Sequence, residues 1–205
     1  MIKEFIKGIL AVFCICLGCC VYLSCENEYI GAILFSVALF IVCVMKFSLY
    51  TGKIGYILKD FSRKHTLEIL VGLLGNIVGC LLLAPLVKIG LPELHEGAKV
   101  LVSAKLTQTS PQTLIRAFFC GFLIYIAVYM FNHKDSTGGI ILAIPTFILS
   151  GFEHSIADAF YFVLSMTFSF ESILYIFIVL VGNSLGALVV PLGEIIAEKF
   201  EKVKE

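Results

Sequence analysis

"GNIVGCLLLAP", residues 75–85, returns as "GNSLGALVVP", residues 182–191. Both copies read Gly-Asn-x-x-Gly-x-Leu with a proline following, and both lie in apolar runs. The small-xxx-small spacing of Gly75/Gly79 and of Gly182/Gly186 lets helices approach closely in lipid. Packing leaves unexplained why Asn76 and Asn183 follow the first glycine at the same step.

The surrounding composition is that of a membrane protein. The chain has 205 residues, is 60% hydrophobic and has a mean hydropathy of +1.02. Only 15% of its residues are charged, against about 25% in soluble domains. A single integral membrane domain over residues 1–205, with the lipid bilayer as its solvent, is expected. The formal net charge of zero offers no electrostatic case for nucleic acid. A span takes about 20 apolar residues. Apolar runs over roughly 5–24, 29–50, 66–90, 112–132, 137–166 and 171–194 predict six transmembrane helices. The first run follows Lys3 and Lys7 without a small-x-small cleavage site, so it is expected to remain a transmembrane helix. The longest connection, about 91–111, holds Pro92 and Pro111. Seven of the eight cysteines fall inside apolar runs and read as small packing hydrophobes; neither a metal nor a cofactor is expected.

The duplicated segment closes each half, so each half contributes three helices. An odd number forces the halves to face opposite ways, an all-α 3+3 inverted repeat with a substrate path at its interface. Lys3, Lys7, Lys53, Lys59, Arg63, Lys64, Lys134, Lys199, Lys202 and Lys204 fall on one side, against Lys88, Lys99 and Lys105 on the other, with Arg116 at the mouth of the fourth span. Positive residues mark the cytoplasmic side, which predicts both termini in the cytoplasm and an inner (cytoplasmic) membrane location.

The second run of each half is broken in a matching way. One carries Lys46 and then Leu49-Tyr50-Thr51-Gly52; the other carries Pro145, Ser150 and Gly151. Non-helical backbone at membrane depth survives only where it is buried in protein or lines a wet cavity. Paired breaks therefore point to the site. The second break is followed by Glu153 and His154. A neutral imidazole can donate an N–H to an anion, and a protonated one can attract the anion or hand it a proton. Glu153 points about 100° away around the helix and is expected to face protein donors. Lys105 is placed to draw anions to an outer mouth, and Lys46 to snorkel, pair or face water.

The combination of "LYTGK" (49–53), the two Gly-Asn pairs, "GFEHSIAD" (151–158) and "LIRAFFCGFLIYIAVYM" (114–130) resembles the formate/nitrite transporter family along essentially all six runs. That resemblance implies an aquaporin-like fold with helices two and five interrupted, a homopentamer with one pore per protomer, and small monovalent anions carried with a proton. By position, His154 resembles the central pore histidine and Glu153 its acidic neighbour. Phe35, Leu39 and Phe147 resemble the outer apolar constriction. Leu49, Tyr50 and Thr51 resemble the inner one, with Thr51 hydrogen-bonding toward His154 or substrate. Lys105 matches the family's lysine ahead of span four, and Asn183 a polar pore group. Three positions depart from the family pattern: Lys46 replaces a small residue, Ser48 an acidic one, and Gly121 the asparagine of a Cys-Asn pair. These are candidates for altered selectivity.

The leading expectation is a pentameric channel or transporter for formate, nitrite, hydrosulfide or a similar weak-acid anion, assisted by His154 and coupled to a proton. The alternative is an aquaporin-like neutral-solute channel. An enzyme is not expected: Ser184 in "GNSLG" has Ile77 as its counterpart in the other half, so that turn reads as packing and not as a nucleophile elbow.

Overall fold

Helix length and helix ends organise this chain. The computed structural model describes residues 1–134 and 136–202; Lys204 lies outside them. Nine α-helices follow in order among the described residues: α1 (Ile2–Ser24), α2 (Glu28–Val44), α3 (Tyr50–Lys53), α4 (Arg63–Gly90), α5 (Pro92–Leu106), α6 (Ser110–Lys134), α7 (Gly138–Leu149), α8 (Ser155–Leu164) and α9 (Phe170–Lys202). A 3-10 turn over Ile54–Leu58 extends α3. Four helices, α1, α4, α6 and α9, are long and apolar enough to cross a membrane. At 1.5 Å per residue, the 23 residues of α1 reach about 35 Å.

The expected runs 29–50 and 137–166 are not single helices. Leu149 ends α7 as Val44 ends α2, and the same hydrogen-bonded motif does it each time. Phe47 N–H donates to Val42 O at 2.9 Å and Lys46 N–H to Cys43 O at 3.1 Å; Phe152 N–H donates to Phe147 O at 2.9 Å and Gly151 N–H to Ile148 O at 3.0 Å. This is the Schellman closure, which satisfies the last carbonyls and needs a left-handed residue just past the helix. That residue is Gly151 at φ 67° in one half and Lys46 at φ 53° in the other. Pro145 lies inside α7 and does not make the break. Lys46 is therefore not a charge in mid-helix but an exposed turn residue beyond the end of α2.

The connection 91–111 is also more ordered than its prolines suggest. Pro92 occupies the first helical turn of α5, where its missing N–H costs nothing. Leu94, Ala98 and Val102 recur every four residues and are buried, which pins α5 over α8.

The glycines of the duplicated segment sit where helices touch. A Cβ on Gly75 would strike the Phe5 carbonyl of α1, and one on Gly186 the Phe118 carbonyl of α6. Gly121 belongs to the same contact: a side chain there would strike the Asn183 carbonyl. Its lack of a side chain is therefore a packing requirement of the α6–α9 crossing.

A non-glycine residue in the left-handed region costs about 1–2 kcal/mol. Lys46→Gly is expected to raise the thermal midpoint of the purified protein, read by circular dichroism, and Gly151→Lys to lower it by a similar amount.

Candidate functional site

Each break leaves backbone groups unpaired in the interior, and one asparagine in each half collects them. Asn76 Nδ2 donates to Gly8 O (2.8 Å) and Ser48 O (2.9 Å), while its Oδ1 accepts from Tyr50 N–H (3.0 Å). Asn183 Nδ2 donates to Ala117 O (2.8 Å) and Glu153 O (2.8 Å), while its Oδ1 accepts from Ser155 N–H (2.8 Å). Residues 48 and 50 thus occupy in one half the places that 153 and 155 occupy in the other. Both amides are fully buried, and neither is among the residues lining the two cavities described below. Asn183, expected as a polar pore group, has its amide bonded to backbone of α6, the break and the start of α8.

The two breaks meet at Thr51 and His154. Thr51 Oγ1 lies 2.8 Å from His154 Nε2, and both residues are almost wholly buried. His154 is the N-cap of α8, and its Nδ1 accepts from Ala157 N–H at 3.2 Å. A nitrogen that accepts from a backbone N–H carries no proton, so the neutral ring carries its proton on Nε2 and donates it to Thr51. Both ring nitrogens are then occupied. Phe147 stacks on the imidazole with ring centroids 5.9 Å apart, and Phe35 packs edge-on against Phe147 at 6.3 Å.

A cavity of about 350 Å³ opens on one side of this contact, lined by Phe35, Lys105, Phe147, Glu153, His154 and Asp158 among others. A second, of about 360 Å³, is lined by Lys7, Leu39, Lys46, Leu49, Lys53 and His65 among others. The first reaches Tyr22 of α1 and the second Lys7, 15 residues and so about 22 Å apart along that helix. Leu39, expected beside Phe35 and Phe147, lines the cavity on the other side and stands with Leu49. Tyr50 lines neither; its hydroxyl bonds Ser184 Oγ at 2.8 Å. Lys46 opens onto the second cavity.

Beside the Lys105 cavity is an ion cluster. Lys105 Nζ pairs with Glu153 and lies 2.9 Å from Asp158 Oδ1; Gln108 Nε2 donates to Glu153 Oε1 at 2.6 Å. Lys105 is thus no freely solvated loop lysine: its side chain is only 13% exposed and its ammonium is held by two carboxylates. Burial opposes its charge, yet Asp158 and Glu153 outweigh that and hold its ammonium above the usual lysine range. Asp158 is the functional candidate that the sequence reading passed over. Its signal is its place one helical turn after His154, on the same face of α8.

The first half carries a corresponding cluster with one carboxylate against one ammonium. Ser48 and Lys53 stand where Glu153 and Asp158 stand, and Glu4 of α1 accepts from both, with Lys53 Nζ 2.8 Å away. Glu4 thus brings to position 48 the carboxylate that Ser48 lacks. Among the described residues no group of three or more His, Cys, Asp or Glu side chains is arranged to hold a metal.

Residues 1–194 match the family described as formate/nitrite transporter. Two curated relatives come from Bacillus subtilis (strain 168). Uncharacterized transporter YrhG is 30% identical over 149 residues, covering 65% of this chain and 56% of the relative. Uncharacterized transporter YwcJ is 27% identical over 150 residues, covering 66% of this chain and 59% of the relative. The match spans less than two thirds of either relative's length. Among solved structures, a pentameric formate channel with formate bound superposes with a TM-score of 0.77 at 19% identity, over 98% of this chain and 96% of that one. A structure described as an FNT family ion channel gives 0.77 at 23% identity, over 96% and 88%.

Leaving a buried polar group unpaired costs about 1–3 kcal/mol. Asn183→Ala orphans the Ala117 and Glu153 carbonyls and the Ser155 N–H together, as Asn76→Ala orphans their counterparts. Each is expected to destabilise the protein by at least about 2 kcal/mol, seen as a lowered circular-dichroism melting midpoint. Leu185→Ala, at an exposed apolar position two residues beyond Asn183, is the control expected to change it little.

Proposed function

The chain belongs to the formate/nitrite transporter family, and from that premise we propose that it carries a small monovalent anion, such as formate, nitrite or hydrosulfide, across the membrane through one pore per protomer. It is a multi-pass membrane transport protein and not an enzyme. The observation that carries the proposal is the Thr51–His154 contact, buried between two cavities at opposite ends of the same helices.

In this reading residues 1–205 form one domain, a 3+3 inverted repeat. Its second and fifth spans are interrupted: α2 with α3, and α7 with α8. The matched Schellman ends and the matched asparagine bonds support it. The Lys105 cavity opens outward and the Lys46 cavity to the cytoplasm, where both termini lie, in line with the excess of basic residues on that side. The solved pentameric relative supports a homopentamer.

Selectivity follows from the alternation of greasy and polar surface. A hydrated ion cannot shed its water against Phe35 and Phe147 or against Leu39 and Leu49, because those side chains offer no replacement hydrogen bonds. Lys105 draws the anion to the first pair. At the centre the Nε2–H of His154 and the hydroxyl of Thr51 can turn from each other to the anion, replacing part of its hydration. A weak acid crosses the apolar rings most easily once its charge is neutralised by a proton. Glu153 serves by holding Lys105 and the start of α8.

Purified protein in liposomes is expected to take up formate, nitrite or hydrosulfide faster at about pH 5 than at about pH 7, the direction in which a weak acid becomes neutral. His154→Phe is expected to lower that uptake by at least about tenfold, the loss of about 1.4 kcal/mol of barrier stabilisation, while the oligomer elutes unchanged. Undiminished uptake in His154→Phe would sink the proposal, as would passage of water or glycerol without any anion.

A further inference from the structure

The Lys105 cavity holds one more carboxylate than its single buried cation can neutralise. We propose that Asp158 is a proton-binding site in this cavity, loaded before an anion settles beside Lys105; the second half of that statement rests on the anion-transport reading above.

Geometry singles out Asp158. It is 2% exposed and lines the cavity. Its Oδ1 meets Lys105 at 2.9 Å, while its Oδ2, buried, accepts no hydrogen bond from any donor among the described residues. Glu153 is better supplied, with Lys105 on one oxygen and Gln108 on the other. The two carboxyls share the single ammonium of Lys105, an arrangement in which two charged carboxylates repel each other and a proton on one relieves the repulsion. The free Oδ2 has room for that proton.

The other groups around it do not take its place. From its own helix and the break come Glu153, His154 and Tyr161; from α1, Cys19 and Tyr22. Lys105 comes from α5, Arg116 and Cys120 from α6, and Tyr175 from α9. Tyr and Cys are neutral near pH 7. Arg116 is exposed at the rim, where water screens its charge. His154 has both nitrogens engaged, by Ala157 and Thr51, and would have to give up the cap of α8 to accept a proton.

The buried cluster with both carboxylates ionised sums to one negative charge: Lys105 against Glu153 and Asp158. That excess offsets the pull of Lys105 on an approaching anion. A proton taken from water in the cavity onto Asp158 Oδ2 brings the sum to zero, and the new O–H points a donor at the anion. When the anion leaves toward the apolar rings as its neutral acid, the proton goes with it. Asp158 is then a carboxylate again, and Lys105 keeps its three protons throughout.

The first test is infrared difference spectroscopy of the purified wild-type protein and of Asp158→Asn between about pH 5 and about pH 8. A protonated-carboxyl C=O band that titrates in the wild type and is missing in Asp158→Asn is the expected result; a wild type without such a band, or one that survives the substitution, overturns the proton site. This holds whether or not any anion is transported, so failure of the transport reading stays distinguishable. The second test is uptake in liposomes. Asp158→Asn removes the excess charge permanently and is expected to raise uptake at about pH 7 by about tenfold, flattening the pH profile. Asp158→Glu is expected to keep the wild-type profile. An Asp158→Asn profile superimposable on the wild type, or loss of uptake in both folded variants, overturns the coupling of the site to anion entry.

Discussion

A backbone N–H or C=O left unpaired away from water costs several kcal/mol in a lipid environment, and this chain stops two of its helices inside the protein. Two buried side-chain amides, Asn76 and Asn183, make that possible. Each spends both amide hydrogens on carbonyls and its oxygen on an N–H. Each ties a break to the long helix that packs beside it, Gly8 of α1 in one half and Ala117 of α6 in the other. Without such an amide the break would either refold into continuous helix or admit water. The glycines that flank the asparagines serve the same end, because the helices must lie almost in backbone contact for one short side chain to reach three partners.

That clamp is what aims the chemistry. It sets Thr51 and His154 at the two facing ends of interrupted backbone, where their side chains meet at 2.8 Å. The cap of α8 then fixes the tautomer: a ring nitrogen that receives Ala157 N–H can only be unprotonated, and the proton is turned toward Thr51. In the proposed role, neutral donors in a buried place suit a small anion that must exchange water for protein without binding too tightly to leave. A permanent cation at that depth would hold it. The cation stands instead to one side, as Lys105, and carboxylates moderate it.

The halves are alike in backbone and unlike in charge. Ser48 and Lys53 with Glu4 repeat the places of Glu153 and Asp158 with Lys105. On one side one carboxylate meets one ammonium and the sum is zero. On the other, two meet one. In the proposed path the same framework at both ends would treat a negative charge differently at each, and the side carrying the excess carboxylate is the one given a proton site.

Much of this was legible in the residues. The paired Gly-Asn segments marked the two clamps, the apolar runs marked the long helices, and "GFEHSIAD" marked the polar centre with His154 in it. Each of these is a local signal, since periodicity, small-residue spacing and a charge inside an apolar run show in a few adjacent positions. What escaped was set by contacts across tens of residues. Lys46 read as a residue free to snorkel, pair or face water, because nothing in its neighbours says that α2 ends two residues earlier. Leu39 read as a partner of Phe35, one helical turn away, yet the two line different cavities. Asn183 read as a polar pore group and Gly121 as a departure bearing on selectivity; only the close crossing of α6 and α9 shows that the Asn183 amide bonds backbone and that a side chain at 121 would strike the Asn183 carbonyl. Asp158 went unremarked because an acid one turn after a histidine acquires meaning only when Lys105, 53 positions earlier in the chain, folds back beside it and leaves one of its oxygens without a donor.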